Sequence, residues 1–138
     1  MNRFVLDCSV VMAWCFKEPS TAKAEEVLQS LASAEAWVPS LWPFEVANVL
    51  VVGERRRRIT PADSSRFIAL LGALPIRVDN TSSVHALSDA LPIARAHDIS
   101  AYDASYLELA MRMGTALASL DEKLQHAAKR VGLSLILR

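Results

Sequence analysis

The residues best suited to chemistry in this sequence are four carboxylates spread along the chain: Asp7, Glu45, Asp103 and Asp121. Three of them also have an ordinary structural explanation. Asp7 and Asp121 each follow a short apolar run and could cap the helix that comes next. Asp103 is the third residue after Ser100, so it could complete a capping box. Taken singly, these three acids do not distinguish a structural role from a functional one.

Glu45 is harder to explain as a structural residue. It lies in a predicted helix over residues 41–57 whose neighbouring side chains are almost all apolar. A helix that is apolar on every side is expected to be buried, and a buried carboxylate is costly unless it is paired or binds a metal. Asn48 follows one turn later on the same face. We therefore expect Glu45 to have a partner.

The four acids together predict a metal site. Carboxylates that converge in one cleft repel one another unless a cation neutralises them. Oxygen ligands without histidine or cysteine favour Mg²⁺ or Mn²⁺ over zinc, and the three histidines of the chain have no metal-ligand spacing. Such a site can hold one or two ions and clamp a phosphodiester while water attacks it. No nucleophilic side chain is needed for this chemistry.

Strands and helices alternate along the chain and are expected to position these acids. Strands are predicted over residues 3–6, 37–38, 76–78, 115–119 and 133–137, and helices over 9–16, 21–34, 41–57, 61–72, 82–96, 101–113 and 121–131. Pro19 and Ser20 are expected to end the first helix, and Pro92 to kink the fifth. The alternation predicts an α/β fold with a mostly parallel sheet of about five strands and helices on both faces. Ligands bind such sheets beyond the carboxyl ends of the strands, where Asp7 and Asp121 lie.

Composition limits the classes of function. The 138 residues predict a single domain over residues 1–138, and 52% hydrophobic residues exclude a disordered chain. The 15 basic and 15 acidic residues cancel, which is unlike a dedicated phosphate-binding protein. Nucleic-acid contact would need a local basic patch, for which the run Arg55, Arg56, Arg57 and Arg58 is the candidate. The same run could be a solvated helix end.

The compartment follows from the cysteines and the apolar runs. Cys8 and Cys15 do not form a disulfide framework, and no apolar run reaches the roughly 20 residues needed to cross a bilayer. We expect a cytoplasmic protein without membrane contact.

Four segments of the chain resemble the PIN-domain ribonucleases, and specifically the VapC-like toxins of bacterial toxin–antitoxin pairs. The segments fall in the order found in that family and extend from one end of the chain to the other. They are Val5–Ser9, Glu45–Asn48, Ile99–Ala104 with the following Tyr106 and Leu107, and Leu117–Asp121 with the following Lys123 and Leu124.

The resemblance implies a three-layer α/β/α fold and Mg²⁺- or Mn²⁺-dependent cleavage of RNA. It implies a homodimer and inhibition by a small cognate antitoxin. The four acidic positions of the family correspond to the four acids above, with Asp7 and Asp103 as the principal metal ligands and Glu45 and Asp121 completing or orienting the set. Ser9 and Ser119 match hydroxyl positions that flank the first and last acids. Ser9, Asn48 and Ser119 are candidates for support of the ligands, although a simple helix cap is favoured for Ser9.

Three other functions remain open. The chain could be a PIN nuclease of RNA processing without an antitoxin, or a non-catalytic binding module on the same fold. A phosphoryl-accepting receiver domain has a similar size and metal site, but it needs an acid pair after the first strand. Asp7 stands alone there, and Asp79 is the only mid-chain candidate for phosphorylation.

Overall fold

The computed structural model describes residues 2–16 and 21–136 and shows an α/β fold built on one parallel sheet. The sheet order is β3-β2-β1-β4, and every pairing is parallel. The strands are β1 (Asn2–Leu6), β2 (Ala34–Val38), β3 (Ile76–Val78) and β4 (Ala116–Ala118). The predicted fold class is confirmed, with four strands in place of about five. The order also differs from the 2-1-3-4-5 order of receiver domains, which removes that alternative.

The fifth strand predicted over residues 133–137 is reduced to a single parallel bridge. Leu135 pairs with Leu117 of β4, and the Leu117 N–H donates to Ser134 O at 3.0 Å. The Ile136 N–H donates to Leu117 O at the same distance. An apolar alternation predicts only that a segment can pair, whereas the length of the ladder depends on the partner, and β4 has three residues. Leu137 lies outside the described residues.

Helices follow the strands, and most of the predicted boundaries are confirmed. The helices are α1 (Cys8–Phe16), α2 (Thr21–Ser30), α3 (Trp42–Arg55), α4 (Pro61–Gly72), α5 (Leu91–His97), α6 (Ala101–Met113) and α7 (Glu122–Arg130). Thr60 and Asp63 form the capping box of α4, and Gly114 ends α6 with a φ of 65°. The break predicted at Pro19 and Ser20 lies outside the described residues. Helix α2 ends earlier than predicted because β2 begins at Ala34.

The continuous, kinked helix predicted over residues 82–96 is wrong in its first half. A 3₁₀ turn (Ser82–His85) and a π turn (Ala86–Ala90) precede α5. Pro92 lies in the first turn of α5, where its missing N–H costs no helical hydrogen bond. The backbone is helical at Ala90 and Leu91, so Pro92 follows directly on the π turn.

Helix α3 is not buried on all sides, contrary to the sequence-based expectation. Trp42, Val46 and Leu50 face the core, whereas Phe44 is 79% exposed and Val51 is 36% exposed. Apolar residues all round a helix predict burial only when other elements cover every face, and here one face remains open. Within the described ranges, no helix has both the length and the apolar character needed to span a bilayer.

Candidate active site

The site lies where β1 and β4 end side by side. The Asp7 N–H donates to Ala118 O at 2.9 Å, so the ladder between the two strands continues one residue past β1. The chain runs from β1 to β2 on one side, while β4 pairs on the other side of β1. Helices that follow the two strands thus diverge and leave a crevice at this switch in strand order. Asp7 is placed at its floor, and 5% of the residue is exposed.

Two serine hydroxyls fix the Asp7 carboxylate. Ser9 Oγ donates to Asp7 Oδ2 at 2.7 Å, and Ser119 Oγ donates to the same oxygen at 2.8 Å. The Ser9 hydroxyl also accepts the Leu120 N–H at 3.0 Å. The helix cap favoured for Ser9 is therefore wrong, because Ser9 lies inside α1 and ties that helix to Asp7 and to the segment after β4.

Asp121 caps a helix, as its structural interpretation predicted, and it also lies at the site. It is the N-cap of α7, where its carboxylate accepts the N–H groups of Lys123 at 2.9 Å and Leu124 at 3.4 Å. Its own N–H donates to Ser119 Oγ at 3.0 Å. The cap fixes the side chain at the mouth of the crevice, so a capping role and a place in the site are compatible.

Glu45, in the first turn of α3, has the partner that its sequence context called for. The Tyr106 hydroxyl of α6 donates to Glu45 Oε1. Tyr106 is fully buried, and burial followed by the Glu45 contact raises the pKa of its hydroxyl far above the usual value, so it keeps its proton and remains a donor. Tyr106 was not predicted from the sequence to be a functional residue. Its position three residues after Asp103 on one helix is the signal that could have found it.

The four predicted carboxylates all line one cavity of about 250 Å³. Asp103 enters it from the first turn of α6, where the Ser100 hydroxyl accepts the Asp103 N–H at 3.0 Å. Asn48 lines the same cavity from α3, whereas Ser119 is buried behind Asp7. The lining comprises Asp7, Cys8, Ser9, Met12, Glu45, Asn48, Val49, Asp103 and Asp121.

Three carboxylates of this cavity have raised pKa values, those of Asp7, Glu45 and Asp103. Burial, then the negative charges of Asp7 and Asp121, raises the pKa of Asp103 to about 6. Burial also raises the pKa of Asp7 although the two serine hydroxyls oppose the change, and it raises the pKa of Glu45 against the bond from Tyr106. A cluster of carboxylates with raised pKa values is a place where a cation is stabilised.

The donor set fits a hard divalent cation. Four carboxylates from four different elements face one space, and the lining holds no histidine. Among the described residues, no three of these acids have carboxylate oxygens that all lie within 4.8 Å of one another.

A different group does meet that distance, and it was not expected from the sequence. In the part of the chain that the structure describes, His85, Asp89 and Glu108 place ligand atoms within 4.8 Å of one another beside a second cavity of about 520 Å³. Both Glu108 oxygens accept from Arg112, at 2.8 and 3.0 Å, and Asp89 contacts His85 Nδ1 at 2.9 Å. Because these groups already have partners, the cluster is an ion-pair network.

The remaining predicted residues lie outside the acidic cavity. Arg55, Arg56, Arg57 and Arg58 are exposed at the far end of α3. Trp14 and Trp42 are buried in the core. Both cysteines are free thiols, and burial raises the pKa of Cys8 to about 12.

Comparison with known proteins identifies the kind of chain to which this site belongs. A sequence profile of the PIN domain matches residues 4–130. The chain is 29% identical over 122 residues to a protein named Ribonuclease VapC3 from Pyrobaculum aerophilum, across 88% of this chain and 92% of that protein. Its fold is similar to the crystal structure of PAE2754 from Pyrobaculum aerophilum, with a TM-score of 0.70 and 22% identity over 98% of this chain and 84% of the other.

Proposed function

The chain belongs to the PIN-domain family, and on that premise we propose that it is a metal-dependent endoribonuclease that acts as the toxin of a toxin–antitoxin pair. The observation that carries the proposal is the convergence of Asp7, Glu45, Asp103 and Asp121 in one cavity beyond the sheet. The relative named Ribonuclease VapC3 supports the choice of RNA as substrate. Residues 1–138 act as one PIN domain in this proposal, and the protein works in the cytoplasm.

Asp7 and Asp103 are the proposed principal ligands of Mg²⁺ or Mn²⁺, and Glu45 and Asp121 complete or orient the set. When bound, such an ion offsets the charge of the phosphodiester and makes water a stronger nucleophile. The raised pKa values of Asp7, Glu45 and Asp103 support this assignment, since each carboxylate gains a favourable interaction when a cation enters.

The supporting residues set the geometry of the acids. Ser9 and Ser119 both donate to Asp7 Oδ2 and so restrict its rotation. Tyr106 does the same for Glu45, and the helix cap of α7 does so for Asp121. Ligands held by such contacts need little reordering when a cation and a phosphodiester bind. Asn48 supplies an amide at the edge of the same cavity.

A cognate antitoxin and a homodimer belong to the same proposal. Both need apolar surface, and large apolar side chains are exposed on the described part of the chain. Phe44 is 79% exposed, Val84 74%, Leu87 82% and Tyr102 66%. Phe44 and Tyr102 also line a mostly apolar cavity of about 360 Å³ next to the helix starts that carry Glu45 and Asp103. A contiguous apolar surface such as the one that Phe44 and Tyr102 share is typical of protein–protein contacts.

The direct test is cleavage of single-stranded RNA by the purified protein. EDTA should abolish cleavage, and Mg²⁺ or Mn²⁺ should restore it. Asp7→Asn and Asp103→Asn should each reduce cleavage by more than the roughly 10- to 100-fold that loss of a ligand's supporting partner costs. Asp98→Asn is the matched control, because Asp98 is exposed and its φ of 52° is one that asparagine tolerates. Cleavage that survives both cavity variants would overturn the assignment of the site.

The toxin part of the proposal has its own test. Expression of the chain alone should arrest growth, and co-expression of the adjacent reading frame should relieve the arrest. The product of that frame should co-purify with the chain, and light scattering after size exclusion should give the mass of a dimer for the chain alone. An active ribonuclease whose expression leaves growth unchanged would indicate a PIN nuclease of RNA processing.

A further inference from the structure

A groove leads away from the acidic cavity along α3. Its volume is about 200 Å³, and it shares Met12, Asn48 and Val49 with the acidic cavity, so the two spaces are adjacent. Beyond these residues the groove passes Val52 and reaches Arg56 and Arg58. The groove thus lies between the acidic cavity and the basic run of the chain.

The spacing along α3 explains why the groove reaches the basic run. Glu45, Asn48, Val52 and Arg56 recur at intervals of three or four residues and so share one face of the helix. Arg56 lies on the order of 16 Å from Glu45 along the helix axis, at 1.5 Å per residue. That separation is too large for both residues to contact one phosphate, so Arg56 faces a different phosphate of any strand that enters the acidic cavity.

The far end of the groove is built by a close packing contact. The Phe16 ring lies against α3 at Gly53, where a Cβ atom would come within 2.9 Å of Phe16 Cζ. Glycine at this position therefore lets the ring sit on the helix. Arg58 also lies over this ring, with its guanidinium carbon 4.3 Å from the ring centroid. A planar guanidinium held on an aromatic ring is a platform on which a nucleobase stacks.

The geometry divides the four arginines into two kinds. Arg56 and Arg58 line the groove, whereas Arg55 and Arg57 line neither the groove nor the acidic cavity. All four are exposed and are adjacent in sequence, so a diffuse charge effect would treat them alike. A bound strand would distinguish them.

Resting on the proposed ribonuclease function, we propose that this groove holds the RNA strand on one side of the cleaved bond. Arg56 binds a backbone phosphate, and the Arg58–Phe16 pair carries a base. RNA is favoured over a peptide because the groove adjoins the cavity where the phosphodiester would lie and is lined at its far end by Arg56 and Arg58, although the formal net charge of the chain is zero.

The test measures RNA binding apart from cleavage. Fluorescence anisotropy with a labelled 12-nucleotide single-stranded RNA and Mg²⁺ is carried out in an Asp7→Asn background, with Arg56→Ala or Arg55→Ala added. We expect Arg56→Ala to weaken binding about tenfold at 0.1 M salt and to reduce the slope of log affinity against log salt by about 0.7. Arg55→Ala removes the same charge and should change affinity less than twofold. Equal effects of the two variants, or no effect of Arg56→Ala, would overturn the proposal.

Two further arms locate the contacts. In a set of probes, each has one phosphate replaced by a neutral methylphosphonate. For the probe that lacks the phosphate bound by Arg56, Arg56→Ala should cause no further loss of affinity, whereas it should still weaken binding of the other probes. Phe16→Leu should weaken binding about fivefold without changing the salt slope, because stacking carries no counterion release. A thermal melt checks that this variant is folded. If Arg56→Ala weakened the binding of every methylphosphonate probe, Arg56 would have no fixed phosphate contact.

The outcomes separate this inference from the proposed function. RNA that binds in an Arg56-dependent way but is not cleaved by the wild-type chain supports the groove and contradicts the nuclease. Cleavage by the wild-type chain with equal losses in Arg55→Ala and Arg56→Ala supports the nuclease and contradicts the groove. If Arg56→Ala leaves RNA binding intact but abolishes co-purification of the adjacent reading frame's product, the groove holds a protein segment and the RNA assignment is wrong.

Discussion

Ser119, one residue beyond β4, donates a hydrogen bond of 2.8 Å to Asp7, one residue beyond β1. The two residues are 112 positions apart in sequence, yet parallel pairing of their strands makes them neighbours. The same Ser119 hydroxyl accepts the Asp121 N–H at 3.0 Å. One buried hydroxyl therefore contacts the carboxylate of Asp7 and the backbone of Asp121.

Removing this hydroxyl should impair cleavage without removing a proposed ligand. We expect Ser119→Ala to lower RNA cleavage about tenfold, the usual scale for loss of a supporting partner. The lost bond favoured the charged form of Asp7, so the pKa of Asp7 should rise further and the acid limb of the pH–rate profile should move to higher pH. Ser119→Thr keeps the hydroxyl and should retain most of the activity. Equal behaviour of the alanine and threonine variants would show that only packing matters at this position.

The raised pKa of Asp103 should be visible in the stability of the metal-free protein. Its value of about 6, against 3.8 for a free aspartate, means that the folded state binds a proton more tightly than the unfolded state. This group therefore lowers the free energy of unfolding as pH rises from about 4 to about 6. In EDTA, Asp103→Asn should therefore have a higher free energy of unfolding than wild type, and the difference should grow over this pH window to about 1 kcal/mol. This figure is smaller than the full pKa shift would give, because the side chain is partly solvated.

Denaturant titrations at pH 4.5, 5.5 and 6.5 measure that difference. The Asp98→Asn variant, at an exposed position, is the control for loss of a carboxylate outside the cavity. A pH-independent effect of Asp103→Asn would mean that the carboxyl is not penalised in the folded cavity.

Divalent cations should stabilise the folded chain in the absence of RNA. A cation that binds only the folded state at a concentration 100-fold above its Kd adds about 2.7 kcal/mol, which raises the Tm. Titration with Mg²⁺ and Mn²⁺ under a thermal-shift assay should show this rise for wild type and for Asp98→Asn. Asp7→Asn and Asp103→Asn should flatten the response. A shift of equal size in all four proteins would place the cation elsewhere.

Arg112 should be a stability residue, not a residue of the acidic cavity. It donates to both oxygens of the buried Glu108, to Asp79 at 2.8 Å and to Thr81 at 3.0 Å. Arg112→Ala leaves Glu108 and Asp79 without their cation and should cost about 2–3 kcal/mol at pH 7 by denaturant titration.

The pH dependence of that loss follows from Asp79. Although burial opposes it, the bonds from Arg112, Ser82 and Thr81 lower the pKa of Asp79 to about 2. Its share of the stability is therefore present above pH 4 and is lost as pH falls towards 2. Arg66→Ala is the control, because the Arg66–Asp63 pair is exposed and its loss should cost far less than the loss of Arg112. Losses of equal size for Arg112→Ala and Arg66→Ala would contradict the network.

The sequence by itself determined the α/β class, most helix boundaries and the four acids. These depend on local chemistry: periodicity, caps at Thr60 and Ser100, and polar residues where apolar strands end. The rule that parallel strands end at one edge was enough to place Asp7 and Asp121 together.

The tertiary structure decided what depends on contacts between distant segments. Whether residues 133–137 form a strand depended on the partner ladder of β4, and whether α3 was buried depended on which elements cover it. Local rules allow Ser9 to cap its helix, but in the folded chain its hydroxyl donates to Asp7 and accepts from the Leu120 N–H. Tyr106 became a partner of Glu45 because α6 crosses near the start of α3. Local patterns specify which conformations are favourable, whereas the partner of each polar group is fixed only when the chain packs, since burial makes an unpaired polar group costly.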